Sequence, residues 1–86
     1  VTGRQIRGIA RYVTELASIA GDCVGEFRLA EDFDGFELVL FDTRVQRTPV
    51  VVEQIEALAI EGVTSDCLPD LITTVFDRAH ARMLGQ

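Results

Sequence analysis

Residues 27–41 constrain the fold of this chain more than any other stretch. Phe27 and Leu29 alternate with Arg28 and Ala30, and Phe36, Leu38 and Leu40 alternate with Glu37, Val39 and Phe41. Such a period of two marks a half-buried strand. Between the runs lies Asp34-Gly35, a strong signal for a two-residue hairpin turn because glycine tolerates positive φ and aspartate nearly so. That turn pairs Phe33 with Phe36, Glu31 with Leu38, Leu29 with Leu40 and Phe27 with Asp42. Phe27, Leu29, Phe33, Phe36, Leu38 and Leu40 then share a core face. The outer face carries Glu26, Arg28, Ala30, Asp32, Glu37, Val39 and Phe41. On it Asp32 and Glu37 repel each other, while Val39 and Phe41 call for cover.

The flanks read as helices. Thr2 is placed to cap a first helix ending near Gly21. Its apolar positions Ile6, Ile9, Ala10, Val13, Leu16, Ala17 and Ala20 follow the three-four rhythm of one helical face. Gly21 suits a left-handed stop, and Gly8 weakens the helix locally. Thr48-Pro49 resembles a helix start, with Thr as cap and Pro at the first position. Val51, Ile55, Leu58 and Ala59 form that second helix's apolar face, and Gly62 stops it. Val50-Val51-Val52 as a short third strand is the alternative. A third helix from near Pro69 buries Leu68, Leu71, Ile72, Val75, Phe76, Ala79 and Met83. Asp70 suits its positive end, and Arg78, His80 and Arg82 its negative end.

The expected fold is one small two-layer α+β domain over residues 1–86: helix, β-hairpin, helix, helix. A lone two-stranded ribbon is barely stable unless helices cover it, and its edges present unpaired backbone groups. A homodimer that joined two hairpins into a four-stranded sheet would solve both problems and cover Val39 and Phe41.

Charge narrows the partners. The 86 residues carry 8 basic and 14 acidic side chains, a net charge of −6, and every basic one is arginine. That balance argues against general binding to nucleic acid or to an anionic membrane. The charges are segregated. Residues 1–21 hold Arg4, Arg7, Arg11 and Glu15, a net +2. Residues 22–43 hold seven acids against Arg28, a net −6. The Arg stripe lies away from its helix's apolar face, so its acidic partner is expected on another chain, a second copy included. No apolar run approaches the roughly 18 residues of a membrane-spanning helix. Val1-Thr2-Gly3-Arg4 leads straight into the amphipathic pattern without a signal-peptide pattern. Cys23 and Cys67 are too few for a disulfide framework. A cytoplasmic protein with two buried, reduced thiols is therefore expected.

Candidate chemistry is sparse. Asp32, Asp34 and Gly35 echo the core of a calcium loop, but the register puts Ala30 and Phe41 where oxygen ligands belong. Two distant cysteines and one histidine give no zinc-ligand spacing, so no metal or cofactor is expected. Cys67 and His80 are the only thiol–base pair. Within one helix they lie on the order of 18 Å apart at 1.5 Å per residue, so they meet only across a subunit interface. Carboxylates around a hairpin turn stay wet and ionised, which does not suit acid–base work.

The expected function is a non-enzymatic, homodimeric protein–protein interaction module: an adaptor, small chaperone or complex subunit. Val39 and Phe41 would serve as apolar anchors, and Arg4, Arg7 and Arg11 as orienting charges. The alternative is an acidic inhibitor, such as an immunity protein, antitoxin or nucleic-acid mimic. Its hairpin acids, Asp32, Asp34 and Glu37 among them, would fill a basic groove on a partner protein.

Overall fold

A computed structural model describes residues 2–44 and 51–85. The elements are α1 (Gly3–Ala20), β1 (Cys23–Leu29), β2 (Gly35–Asp42), β3 (Val51–Glu56), α2 (Ala57–Glu61) and α3 (Leu68–Leu84). The strands form one antiparallel sheet in the order β1-β2-β3. The expected α+β class is what forms.

The first helix follows its sequence signals. Thr2 accepts from the Gln5 amide, and the Gln5 side chain accepts from the Thr2 amide, a complete capping box. Gly21 closes the helix at φ 81°, a left-handed conformation that glycine adopts without Cβ strain. Ile9, Val13 and Ala17 carry α1 into the core. At the other end of the chain Ile72, Val75, Phe76, Ala79 and Met83 do the same for α3. The two helices lie on one face of the sheet and are joined by a 2.7 Å hydrogen bond between the Tyr12 and Thr73 hydroxyls.

The hairpin forms with a different register. Leu29 faces Phe36, Arg28 faces Glu37 and Phe27 faces Leu38, down to Cys23 opposite Asp42. Leu29 was expected opposite Leu40, so the ladder has slipped by four residues. An even slip preserves the parity of both strands. The core face of β2 therefore still holds Phe36, Leu38 and Leu40, and the Phe27 and Phe36 rings stack at 5.0 Å. The cost falls at the tip, where residues 30–34 become the connection and Leu29 is left 66 % exposed.

Gly35 explains the slip. Among the described residues Gly21 is the only one with positive φ, so Gly35 is not a left-handed turn residue. It is the first residue of β2, opposite Glu56 of β3. A Cβ there would run into the Ile55 carbonyl oxygen and the Phe33 ring. Glycine is needed for that close approach, and the turn moves away from it. The new register also removes the expected Asp32–Glu37 repulsion: Glu37 instead takes a 3.2 Å ion pair from Arg28.

The second correction is β3. Residues 51–56 are strand, in line with the third-strand alternative and not with the preferred helix, and only the five residues of α2 that follow are helical. Thr48, Pro49 and Val50 lie outside the described residues. Val51 and Ile55 are four apart, a spacing that fits one face of a helix and one face of a strand equally. Glu53 decides between them. As a strand residue it lies on the helix-side face between Val51 and Ile55, and Arg82 and Arg78 of α3 meet its carboxylate at 3.0 and 3.8 Å.

Candidate functional site

Two places on this fold combine exposure with chemistry: the free edge of β1 and a polar cluster where α1, β1 and α3 converge.

The edge follows from the ladder. The Ala30 amide donates to Gly35, and the Thr43 amide donates to Asp22. Residues 22, 24, 26, 28 and 30 thus turn their backbone groups toward β2, since hydrogen-bonded pairs alternate in an antiparallel ladder. Cys23, Gly25, Phe27 and Leu29 turn theirs outward. Among the described residues no strand pairs with this edge. Gly25 holds β1 close to α1: a Cβ there would lie 2.8 Å from Val13 Cγ1.

The sheet face away from α1 and α3 carries Val24, Glu26 and Arg28 of β1, Glu37, Val39 and Phe41 of β2, and Val52 and Gln54 of β3. Val24 is 52 % exposed, and Phe41 and Val52 are half-buried. Val39 is fully covered, although it lies outside the helix-side core. Its side chain is thus out of a partner's direct reach, while Phe41 and Val24 are accessible. Asp32 and Asp34 are exposed at the hairpin connection, and Asp32, Glu31 and Glu37 line a polar cleft there with Arg28 and Leu29. Arg4, Arg7 and Arg11 are exposed along α1 and form no ion pair among the described residues. The structure keeps the Arg stripe and the hairpin acids on separate elements of one chain.

The second place was not legible in the sequence. Asp22, just after α1, and Cys23, the first residue of β1, meet His80 from α3. One ligand atom from each lies within 4.8 Å of the other two. The His80 Nε2 is 2.8 Å from Asp22 Oδ1 and, facing an ionised carboxylate, donates to it. The imidazole is held in place by stacking on Phe76 one turn earlier, with centroids 5.7 Å apart. Asp22 and His80 side chains are 26 % and 22 % exposed, whereas Cys23 is buried beneath them. Opposite Cys23 in the ladder is Asp42, whose carboxylate is engaged by both Arg44 Nε and Nη2 at 3.0 and 2.9 Å.

The electrostatics of the cluster have identifiable causes. The His80 hydrogen bond holds the Asp22 carboxyl below the usual carboxylate range. The Arg44 guanidinium does the same for Asp42. Burial, reinforced by the Asp22 charge, pushes the Cys23 thiol up to about 11. At neutral pH Cys23 is therefore a protonated thiol and a poor nucleophile. Cys67, by contrast, is exposed at the start of α3, so only one of the two thiols is buried as expected. One signal for the cluster was present in the sequence. His80 follows Phe76 by one helical turn, which places it beside the core stripe and not among the solvated residues.

No family model matches this chain, and neither does any curated protein or solved structure. Fold and chemistry alone carry the functional reading.

Proposed function

We propose that this protein is a non-enzymatic interaction module that associates with a second copy of itself through the β1 edge. The observation that carries the reading is the row of outward backbone groups at Cys23, Gly25, Phe27 and Leu29, beside a side chain as exposed as Leu29. Unpaired strand edges invite pairing with another chain. The raised thiol at Cys23 and the wet carboxylates of the hairpin connection support a binding role over a catalytic one.

Side chains select the register. An antiparallel pairing centred on Phe27 sets Gly25 against Leu29 of the other copy, and Glu26 against Arg28, twice by symmetry. Opposite charges facing each other across strands are favourable by about 0.2–1 kcal/mol per pair, whereas centring on Glu26 would set two carboxylates face to face. With β3 already occupying the far side of β2, the dimer has six strands and not the four that a bare hairpin would give.

The test is absolute mass by light scattering after size exclusion, at about 0.05 M and 1 M salt, over which the screening length falls from roughly 14 to 3 Å. A dimer at both salts is expected. In Leu29→Pro the substitution removes an outward donor and the exposed leucine side chain but no ladder bond to β2, at a position where proline is tolerated because the strand is an edge. That variant is expected to be a folded monomer. If Phe41→Glu dissociates the dimer while Leu29→Pro does not, association runs through the sheet face and the edge pairing is wrong. A wild-type monomer at both salts also overturns the reading and promotes the acidic-inhibitor alternative, whose exposed Glu31, Asp32 and Asp34 would then serve a basic foreign partner.

A further inference from the structure

We propose that Asp22, Cys23 and His80 form a mononuclear site for a borderline divalent cation of the zinc type. The three donors are a carboxylate oxygen, a thiolate sulfur and an imidazole nitrogen, the ligand set zinc accepts in tetrahedral sites. Their spacing is close to what such a site needs. Bonds of about 2.0–2.3 Å around a tetrahedral ion put ligand atoms roughly 3.3–3.8 Å apart. All three atoms already lie within 4.8 Å of one another. The Asp22–His80 contact, at 2.8 Å, has to open by about half an ångström to reach that range, and the Cys23 sulfur has to close on the other two donors by at most about 1 Å.

The charges balance as well. Asp22 and a Cys23 thiolate supply two negative charges to a divalent ion, and His80 binds neutral. Asp42, the remaining acid beside Cys23, has its charge met by Arg44 and both its oxygens engaged, so it holds no further ligand position. Three protein ligands leave a fourth position for water. Entry is open because Asp22 and His80 are each about one-quarter exposed and Cys23 forms the floor.

Binding exchanges protons for the ion. The Cys23 S–H bond breaks, its proton leaves to solvent and a metal–sulfur bond forms. The Asp22–His80 hydrogen bond breaks, the proton that Nε2 donated in it passes through solvent to Nδ1, and the neutral imidazole binds the ion through the freed Nε2 lone pair. No electron is transferred. The ion then ties the α1–β1 junction to α3, across 58 positions of sequence, so it should stabilise the fold by linkage.

The experiment is a titration of the reduced, chelator-treated full chain with cobalt(II) as spectroscopic probe, followed by displacement with zinc. The expected result is one ion per chain, tetrahedral d–d absorption and a thiolate-to-cobalt charge-transfer band, with a rise in melting temperature on adding zinc. Cys67→Ser is expected to leave all of this unchanged. His80→Gln is expected to weaken binding more than about tenfold, beyond the lower end of losses seen on removing even an outer partner of a ligand. Because Cys23→Ser touches a buried position, X-ray absorption on the zinc-loaded wild type provides an independent reading, with one sulfur at about 2.3 Å expected. A titration without binding, an ion bound without sulfur, or a charge-transfer band that disappears in Cys67→Ser each overturns the proposal.

Discussion

At Gly25 β1 runs close against α1, and Gly25→Ala measures how rigid that contact is. The added methyl carbon would sit 2.8 Å from Val13 Cγ1, 3.3 Å from the Val13 carbonyl oxygen and 3.4 Å from Ala17 Cβ. Carbon atoms rest at about 3.5–4.0 Å, so helix or strand must retreat by roughly 0.7 Å. Val13 has nowhere to turn. It is fully buried, and a β-branched side chain in a helix has essentially one rotamer. Overpacking of this kind costs about 1–3 kcal/mol, offset by about 0.4–1 kcal/mol because alanine restricts the unfolded chain more than glycine does. The net loss expected is about 0–2.6 kcal/mol, near 1.3 kcal/mol at the middle of both ranges. With a urea m-value of about 1 kcal/mol/M for a small domain, the midpoint falls by about 1.3 M at that central value. Val13→Ala alone should cost about 2 kcal/mol through its cavity. In the double variant the new methyl enters the vacated space, so the two losses should fall short of additive by at least about 0.5 kcal/mol. Simple additivity, or a midpoint for Gly25→Ala raised as far as that for Gly8→Ala, would refute the close approach.

At Gly8, on α1, an added Cβ meets nothing within 4 Å; Gly8→Ala should raise stability by about 0.5–1 kcal/mol, measured as a higher urea midpoint. Gly35→Ala is expected to be the most damaging of the glycine substitutions, because the methyl collides with the backbone of β3 at Ile55; loss of the cooperative thermal transition, or a midpoint lowered more than in Gly25→Ala, checks it. Asp22 and Asp42 both have carboxyl pKa values lowered from 3.8. Such groups stabilise the fold above their unfolded value and lose that contribution as pH falls through the lower folded value. Urea midpoints should therefore fall as pH drops from about 5 toward 2, and Asp42→Asn, which loses the Arg44 charge pair, should show a flatter acid limb.

Legibility in the sequence followed the uniqueness of each pattern. Both ends of α1 and the start of α3 were readable to within a residue or two because a three-four apolar rhythm over many turns, bounded by Thr2 and Gly21 in one case and opened by Pro69 in the other, has no competing interpretation. The hairpin's faces were readable and its register was not. Parity is set by alternation, which any even slip preserves, whereas register depended on Asp34-Gly35, and Gly35 serves the contact with Ile55 instead of a turn. β3 was misread because Val51 and Ile55 satisfy both periods. Only the ion pairs from Arg78 and Arg82 make Glu53 acceptable on an inward strand face, and those arise from α3, some 25–29 residues away in sequence.

The sites show the same division between local and long-range information. Arg4, Arg7, Arg11, Asp32 and Asp34 were readable as exposed because solvated charge is a local property, and the structure leaves all five exposed. Val39 was misjudged as an accessible anchor because a strand's outer face is not uniformly open. As the central residue of the central strand it is flanked by Glu26 on one side and Val52 on the other. Asp22, Cys23 and His80 were passed over because ligand spacing was sought along the chain, whereas the spacing that matters is set by packing. Gly21 ends α1 and turns the chain so that Asp22 and Cys23 open β1. The apolar stripe of α3 then presses that helix against the sheet, and Phe76 orients the imidazole it carries. The Gly21 stop and the apolar stripe of α3 were legible on their own, whereas the start of β1 at Cys23 and the stacking of His80 on Phe76 were not. Their product, three dissimilar donor atoms within 4.8 Å of one another, exists only when α1, β1 and α3 are docked together, so any ion held there must report on the docked state.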